Sequence, residues 1–194
     1  EQGYVQILFC ARDGYLPGKL YREVSSKTKS VYFLSSRTAA IRAGIEDEKD
    51  IEYVDSMKFS GSSEEVLKAR FGITTNDVSK IEYEKEILLK AGIQRENYRK
   101  YIEKLDIKDG GIGLFDFVAK GTMQMYLQKL FPQHIKGFYF LRLEPEFMED
   151  KELDIEPFYS VEEKDTSARV KAMRKMDSRP LVVEALLSTL LAHD

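Results

Sequence analysis

The sequence predicts an α/β domain with a mainly parallel sheet flanked by helices. Three observations predict it. Short apolar runs rich in β-formers recur at Tyr4–Cys10, Val31–Leu34, Ile112–Phe115 and Gly137–Leu143. Each of the first three leads through a polar turn into a segment with the apolar spacing of a helix. Strands that alternate with helices are joined by right-handed crossovers, which build a parallel sheet. A chain of 194 residues, 43% hydrophobic and 32% charged, is large enough for one domain with a substantial core.

The elements follow in order. Tyr4–Cys10 reads as a strand buried on both faces. A turn through Ala11-Arg12-Asp13-Gly14 leads into a helix carrying Leu20, Tyr21 and Val24. After Ser30 a second strand, Val31–Leu34, passes through Ser35-Ser36-Arg37 into a helix over Thr38–Ala43 that Gly44 stops. Residues 46–108 are charged and helical in pattern, with helices expected over Glu64–Phe71 and Asp77–Leu89. Tyr98, Tyr101, Ile102 and Leu105 share one helical face. This stretch reads as a helical insertion or small subdomain between strands two and three. Runs such as Glu82-Tyr-Glu-Lys-Glu read as solvated faces. Gly110-Gly111 opens a third strand over Ile112–Phe115 with Asp116 at its end. Phe117–Gly121 forms the turn, and Thr122–Phe131 the helix that Pro132 closes. The fourth strand is Gly137–Leu143. The tail from Thr166 is helical in pattern and ends with the apolar run Leu181–Leu191. The whole reads as a single α/β domain over residues 1–194, belonging to a larger multidomain protein.

Composition narrows the function. A net charge of −3 argues against general nucleic-acid binding, which needs a basic face. The single cysteine, Cys10, sits in the apolar run Ile7-Leu8-Phe9-Cys10 and reads as a small buried hydrophobe in a reducing compartment. No apolar run approaches a membrane span. A cytoplasmic location, extending to the inner face of a membrane, is the expectation. His134 and His193, the only histidines, read as surface residues near helix ends. No zinc-ligand set, Walker A loop, G-x-G-x-x-G or Ser-His-Asp arrangement is present.

In an open parallel sheet, ligands bind beyond the carboxyl ends of the strands. Three polar turns fall there: Arg12-Asp13-Gly14, Ser35-Ser36-Arg37 and Asp116–Thr122. At the third, free amides at a helix start attract phosphate. Gly121 admits close approach, Thr122 adds a hydroxyl, Lys120 a charge, and Asp116 accepts from sugar hydroxyls. The alternative is that Asp116 and Thr122 only cap the helix. At the first turn, the planar Arg12 suits a diphosphate, and Asp13 suits Mg²⁺ or a base role. The alternative there is a surface ion pair with a cap. Arg37 either closes the same pocket or is structural.

These turns resemble a known family. Phe9-Cys-Ala-Arg-Asp-Gly-Tyr is similar to the F-L-A-R-D-G-Y motif of bacterial surface-polysaccharide biosynthesis proteins, where this region follows a haloacid-dehalogenase-type (HAD) phosphatase domain. Tyr32-Phe-Leu-Ser-Ser-Arg resembles their Y-x-x-S-R segment. Leu114-Phe-Asp-Phe-Val-Ala-Lys-Gly-Thr-Met-Gln resembles their V-D-I-G-W-x-G-T-x-Q, with Phe117, Val118 and Ala119 in place of Ile-Gly-Trp. Gly137-Phe-Tyr-Phe resembles their G-Y-Y-F. That region also resembles type I phosphoribosyltransferases, whose D-x-x-x-T-G-x-T loop corresponds to Asp116 and Lys120-Gly121-Thr122. Here one acid stands in place of two, and the loop is one residue shorter.

The resemblance implies a phosphoribosyltransferase-like, Rossmann-like fold. It implies transfer of ribose 5-phosphate from phosphoribosyl diphosphate (PRPP) to a sugar hydroxyl of a glycan, with a HAD-type phosphatase partner removing the phosphate afterwards. Asp13 and Asp116 would be catalytic, Asp13 with a role toward Mg²⁺. Arg12, Gly14, Ser36, Arg37, Lys120, Gly121, Thr122 and Gln124 would bind substrate. Two other readings stay open: a transferase for another donor such as a nucleotide sugar, and a scaffold that docks partners through residues 62–108 or 181–191.

Overall fold

The structure is a computed structural model and describes residues 3–24, 28–74, 83–107 and 109–160. Five strands, β1 (Tyr4–Cys10), β2 (Lys29–Phe33), β3 (Gly111–Ala119), β4 (Ile135–Arg142) and β5 (Ile155–Ser160), form one sheet in the order β2-β1-β3-β4-β5. Every pairing is parallel. The helices are α1 (Tyr15–Val24), α2 (Arg37–Gly44), α3 (Glu48–Ser56), α4 (Ser63–Val66), α5 (Tyr83–Glu103), α6 (Thr122–Gln128) and α7 (Pro145–Asp150). Leu67–Phe71 continues α4 as a π-helical turn. The expected Rossmann-like α/β architecture is therefore present. Between β1 and β3 the connections diverge, which opens a crevice at the carboxyl ends of those strands.

Strand alternation divides the sheet into two faces. Leu8 and Cys10 of β1, Phe33 of β2, Ile112 and Leu114 of β3 and Ile135 of β4 point into the main core. There they meet Ala40, Ile41 and Ala43 of α2, Ile87, Ala91 and Ile102 of α5, and Tyr126 and Leu127 of α6. The helices between β2 and β3 thus share the sheet's own core. Phe9 points to the opposite face, under Tyr21 and Gly18 of α1.

Arginines fasten the helical stretch by satisfying carbonyls at helix ends, groups that would otherwise lack partners. Arg42 donates to the carbonyls of Lys68, Ala69 and Arg70. Arg70 donates to those of Val54, Asp55 and Met57, and Arg95 to those of Ala43 and Ile45.

Several boundaries differ from expectation. β1 begins and ends where the sequence places it. β3, however, runs on to Ala119, so Asp116 lies within a strand, paired in register with Tyr139. The turn shrinks to Lys120-Gly121. Pairing of Val118 with Leu141 and Ala119 with Arg142 carries the extension. α6 stops at Gln128. Gly44 is the last residue of α2 and not a left-handed cap. Its missing Cβ instead lets α2 close on α6, since a Cβ would lie 2.7 Å from the Tyr126 ring. β5 and α7 were not expected from the sequence. Pro157 hides β5, but a proline is tolerated on an edge strand. The first part of the expected Asp77–Leu89 helix and the whole tail from Thr166, with Leu181–Leu191 and His193, lie outside the described residues. No helix among the described residues is long and apolar enough to cross a membrane.

Candidate functional site

The three polar turns converge on one open cleft of about 480 Å³ at the carboxyl ends of β1, β2 and β3. Arg12 and Asp13 approach from the first turn, Ser35, Ser36 and Arg37 from the second, and Asp116, Lys120, Gly121 and Thr122 from the third. Tyr139 and Leu143 lie beneath.

The first turn starts where β1 ends. The Ala11 amide donates to the Phe33 carbonyl (2.9 Å), and the Gly14 amide donates to the Cys10 carbonyl (2.8 Å). The Ala11–Arg12 peptide is cis. A Cβ on Gly14 would sit 2.6 Å from the Cys10 carbonyl oxygen, so only glycine lets α1 begin directly over the strand end. Gly14 is buried behind the turn and does not line the cleft. Its work is to aim Arg12 and Asp13, both exposed, into the opening. Among the described residues Arg12 has no ion-pair partner.

At the second turn, the Ser36 hydroxyl accepts from the Ala39 amide (3.1 Å) and caps α2. Ser35 is buried and its hydroxyl accepts from Tyr98 (2.8 Å). Arg37 is exposed; its guanidinium lies 3.4 Å from the Met57 sulfur and meets no carboxylate among the described residues.

The third turn holds the deepest acid. Asp116 is half-buried, and its carboxylate accepts from the Phe117 amide (2.8 Å). Burial pushes its pKa up to about 6. The Phe117 amide pulls it down, the neighbouring Asp13 pushes it up and Arg12 pulls it down. The two acids and Arg12 therefore share one electrostatic neighbourhood. Lys120 is paired with Glu144 and so is not a bare cation. Gly121 has φ +82°, and a Cβ there would meet Leu153 at 2.8 Å. Thr122 is buried. Burial raises the pKa of the Tyr53 phenol, and the nearby Thr122 hydroxyl lowers it.

Gln124 faces the cleft floor, yet all its polar capacity is spent on the frame. Its amide nitrogen donates to the carbonyls of Ile135 (3.1 Å) and Asp154 (2.9 Å), and its oxygen accepts from Tyr139 (2.6 Å). A Cβ on Gly137 would lie 2.3 Å from that oxygen and 2.6 Å from the Tyr139 ring. The Gly-Thr-x-Gln and Gly-x-Tyr segments are thus one packed unit that fixes β4 and β5 beside the turn.

No protein-family model matches the chain, and no curated protein matches it either.

The site accordingly combines two arginines, Arg12 and Arg37, with no carboxylate ion pair among the described residues, a third cation in Lys120, two neighbouring acids and several polar side chains already in use. Sequence reasoning missed Tyr53, Tyr139 and Glu144. For Tyr139 a signal existed in its strand-face alternation, whereas Glu144 and Tyr53 reach the site only through tertiary packing. Among the described residues no cluster of three or more His, Cys, Asp or Glu side chains forms a self-sufficient metal cage. A Mg²⁺ that arrives with a diphosphate needs only one or two protein carboxylates, so Asp13 and Asp116 fit that role.

Proposed function

We propose that this cleft binds a phosphorylated sugar diphosphate, and that the chain transfers ribofuranosyl 5-phosphate from PRPP to a sugar hydroxyl in the synthesis of a bacterial surface polysaccharide. The observation that supports it most is the convergence of Arg12, Arg37 and Lys120 with Asp13 and Asp116 in one opening. Arginine forks match paired diphosphate oxygens. In this reading the Lys120–Thr122 turn would hold the 5-phosphate and Asp116 the ribose hydroxyls.

In the reaction, the acceptor oxygen forms a bond to C1 of the ribose while the bond from C1 to the diphosphate oxygen breaks. The diphosphate leaves with the electron pair, and Asp13 takes the acceptor's proton. Arg12 and Arg37 stabilise the charge that develops on the leaving group. Mg²⁺, held by Asp13, would supply further neutralisation of the diphosphate. Release of the 5-phosphate falls to a HAD-type phosphatase in the same chain or complex. The reading places the protein in the cytoplasm, at the inner face of the membrane where glycans are assembled.

Calorimetric titration with PRPP and Mg²⁺ tests the proposal. Saturable binding is expected, weakened at least tenfold by Arg12→Ala with Arg37→Ala. A folded protein that binds no PRPP, or binds it equally well after both changes, overturns it. A thermal-shift series of nucleotide sugars beside PRPP separates this donor from others, because stabilisation grows with ligand concentration over its dissociation constant.

A further inference from the structure

The first and second turns of the cleft share one anchor, the carbonyl of Phe33 at the end of β2. It accepts from the Ala11 amide (2.9 Å), just ahead of Arg12, and from the Ser35 amide (2.9 Å), just ahead of Ser36 and Arg37. A displacement of Phe33 therefore carries both arginines. The pairing of β1 with β2 ends at Cys10 and Phe33. Leu34 and Ser35 lie past that ladder, so something else must hold them.

The holding groups come from α5. Tyr98 and Tyr101 stand three residues apart, on one face of that helix. The Phe33 ring stacks on Tyr101, with centroids 5.7 Å apart and planes 15° from parallel, and meets Tyr98 edge-on at 6.3 Å. Rings alone would serve that packing, yet both residues carry hydroxyls and both hydroxyls are used. Tyr98 donates to the Ser35 hydroxyl (2.8 Å), and Tyr101 accepts from the Leu34 amide (2.8 Å). The Ser35 hydroxyl donates onward to the Met123 sulfur (3.7 Å), one residue past Thr122 of the third turn. Ser35 and Met123 both line the cleft. Burial raises the pKa of both phenols, so both keep their protons at neutral pH.

We propose that Tyr98 and Tyr101 are positioning residues for the cleft: through Leu34, Ser35 and the Phe33 carbonyl they set the separation of Arg12 and Arg37, and so the fit of a ligand that both arginines grip at once. The inference rests on the reading of these arginines as a diphosphate clamp. It gives the helical stretch between β2 and β3 a part in recognition, although no α5 residue lines the cleft.

The test titrates the full chain calorimetrically with inorganic pyrophosphate, which spans two cations, and with inorganic phosphate, which one cation can hold. Tyr98→Phe with Tyr101→Phe removes two oxygens and leaves the rings in place. Pyrophosphate affinity should fall about fivefold or more, while phosphate affinity changes by less than about twofold. Pyrophosphate affinity that stays at the wild-type value, or that falls by the same factor as phosphate affinity, overturns the positioning role. Ser35→Ala removes the acceptor of Tyr98 without touching the rings, and alone it should also lower pyrophosphate affinity and spare phosphate. Combined with Tyr98→Phe it should add nothing further, since both changes break one contact. Fully additive losses contradict the relay. Wild-type protein that binds neither anion overturns the diphosphate reading itself, and this inference with it; wild-type binding that the tyrosine variant retains overturns this inference alone.

Discussion

Asp116 shows how one residue sets a pH dependence for the whole fold. Its carboxyl titrates near pH 6 in the folded chain, against about 4 in an unfolded one. The folded state therefore holds more protons between these values, and its stability falls as pH rises through that window. The raised pKa corresponds to about 3 kcal/mol of destabilisation at neutral pH. Asp116→Asn should accordingly raise the melting temperature at pH 8 and have little effect at pH 4, while weakening any sugar ligand that uses the carboxylate. A melting temperature that shifts equally at both pH values would refute the assignment. Gly121 obeys a different constraint. With φ +82° and a Cβ that would overlap Leu153 at 2.8 Å, Gly121→Ala should cost about 1–3 kcal/mol in urea unfolding. Glu144 holds Lys120, so Glu144→Gln should free the ammonium and tighten phosphate binding, measurable by titration with inorganic phosphate.

At the level of elements, Ser36 separates support from recognition. Its hydroxyl caps α2, so Ser36→Ala should lose about 1 kcal/mol of stability. If capping is its whole contribution, ligand affinity at saturating folded protein stays unchanged. Gly137 lies where β4 passes Gln124, and Gly137→Ala should destabilise by about 1–3 kcal/mol through overpacking, visible in thermal melts. The strands with continuous apolar runs were legible because burial on both faces leaves a strong pattern. The end of β3 was less so: Phe-Asp-Phe-Val alternates as a strand does, but its acid and the following Lys-Gly resemble a turn. β5 is masked by its proline. At the site, Arg12, Asp13, Arg37, Asp116 and Lys120 could be picked out because charged residues next to strand ends have few structural reasons to be there. The occupation of Gln124 by internal hydrogen bonds was illegible, since its partners come from other elements, whereas the Ser36 contact is a local cap of its own helix. Arg42, Arg70 and Arg95 were equally opaque: in a charged stretch nothing in the sequence distinguishes a guanidinium that caps helix ends from one that faces water.

At the scale of the molecule, the helices between β2 and β3 share buried residues with the sheet. Amides of α5 should therefore exchange with solvent in the same cooperative opening as those of β1 and β3, and Ile102→Ala should lower the common urea midpoint with a loss of about 2–4 kcal/mol. Separate, earlier opening of α5 would mark it as an autonomous unit.

The strand ladder stops short of Arg12, Arg37 and Lys120. No register depends on what those positions carry, and each sits on a different connection. The preference for one anionic ligand over another can thus drift by single replacements at three rims while the pairing beneath remains a spectator. Chains with this scaffold would then diverge in the molecules they grip long before they diverge in shape.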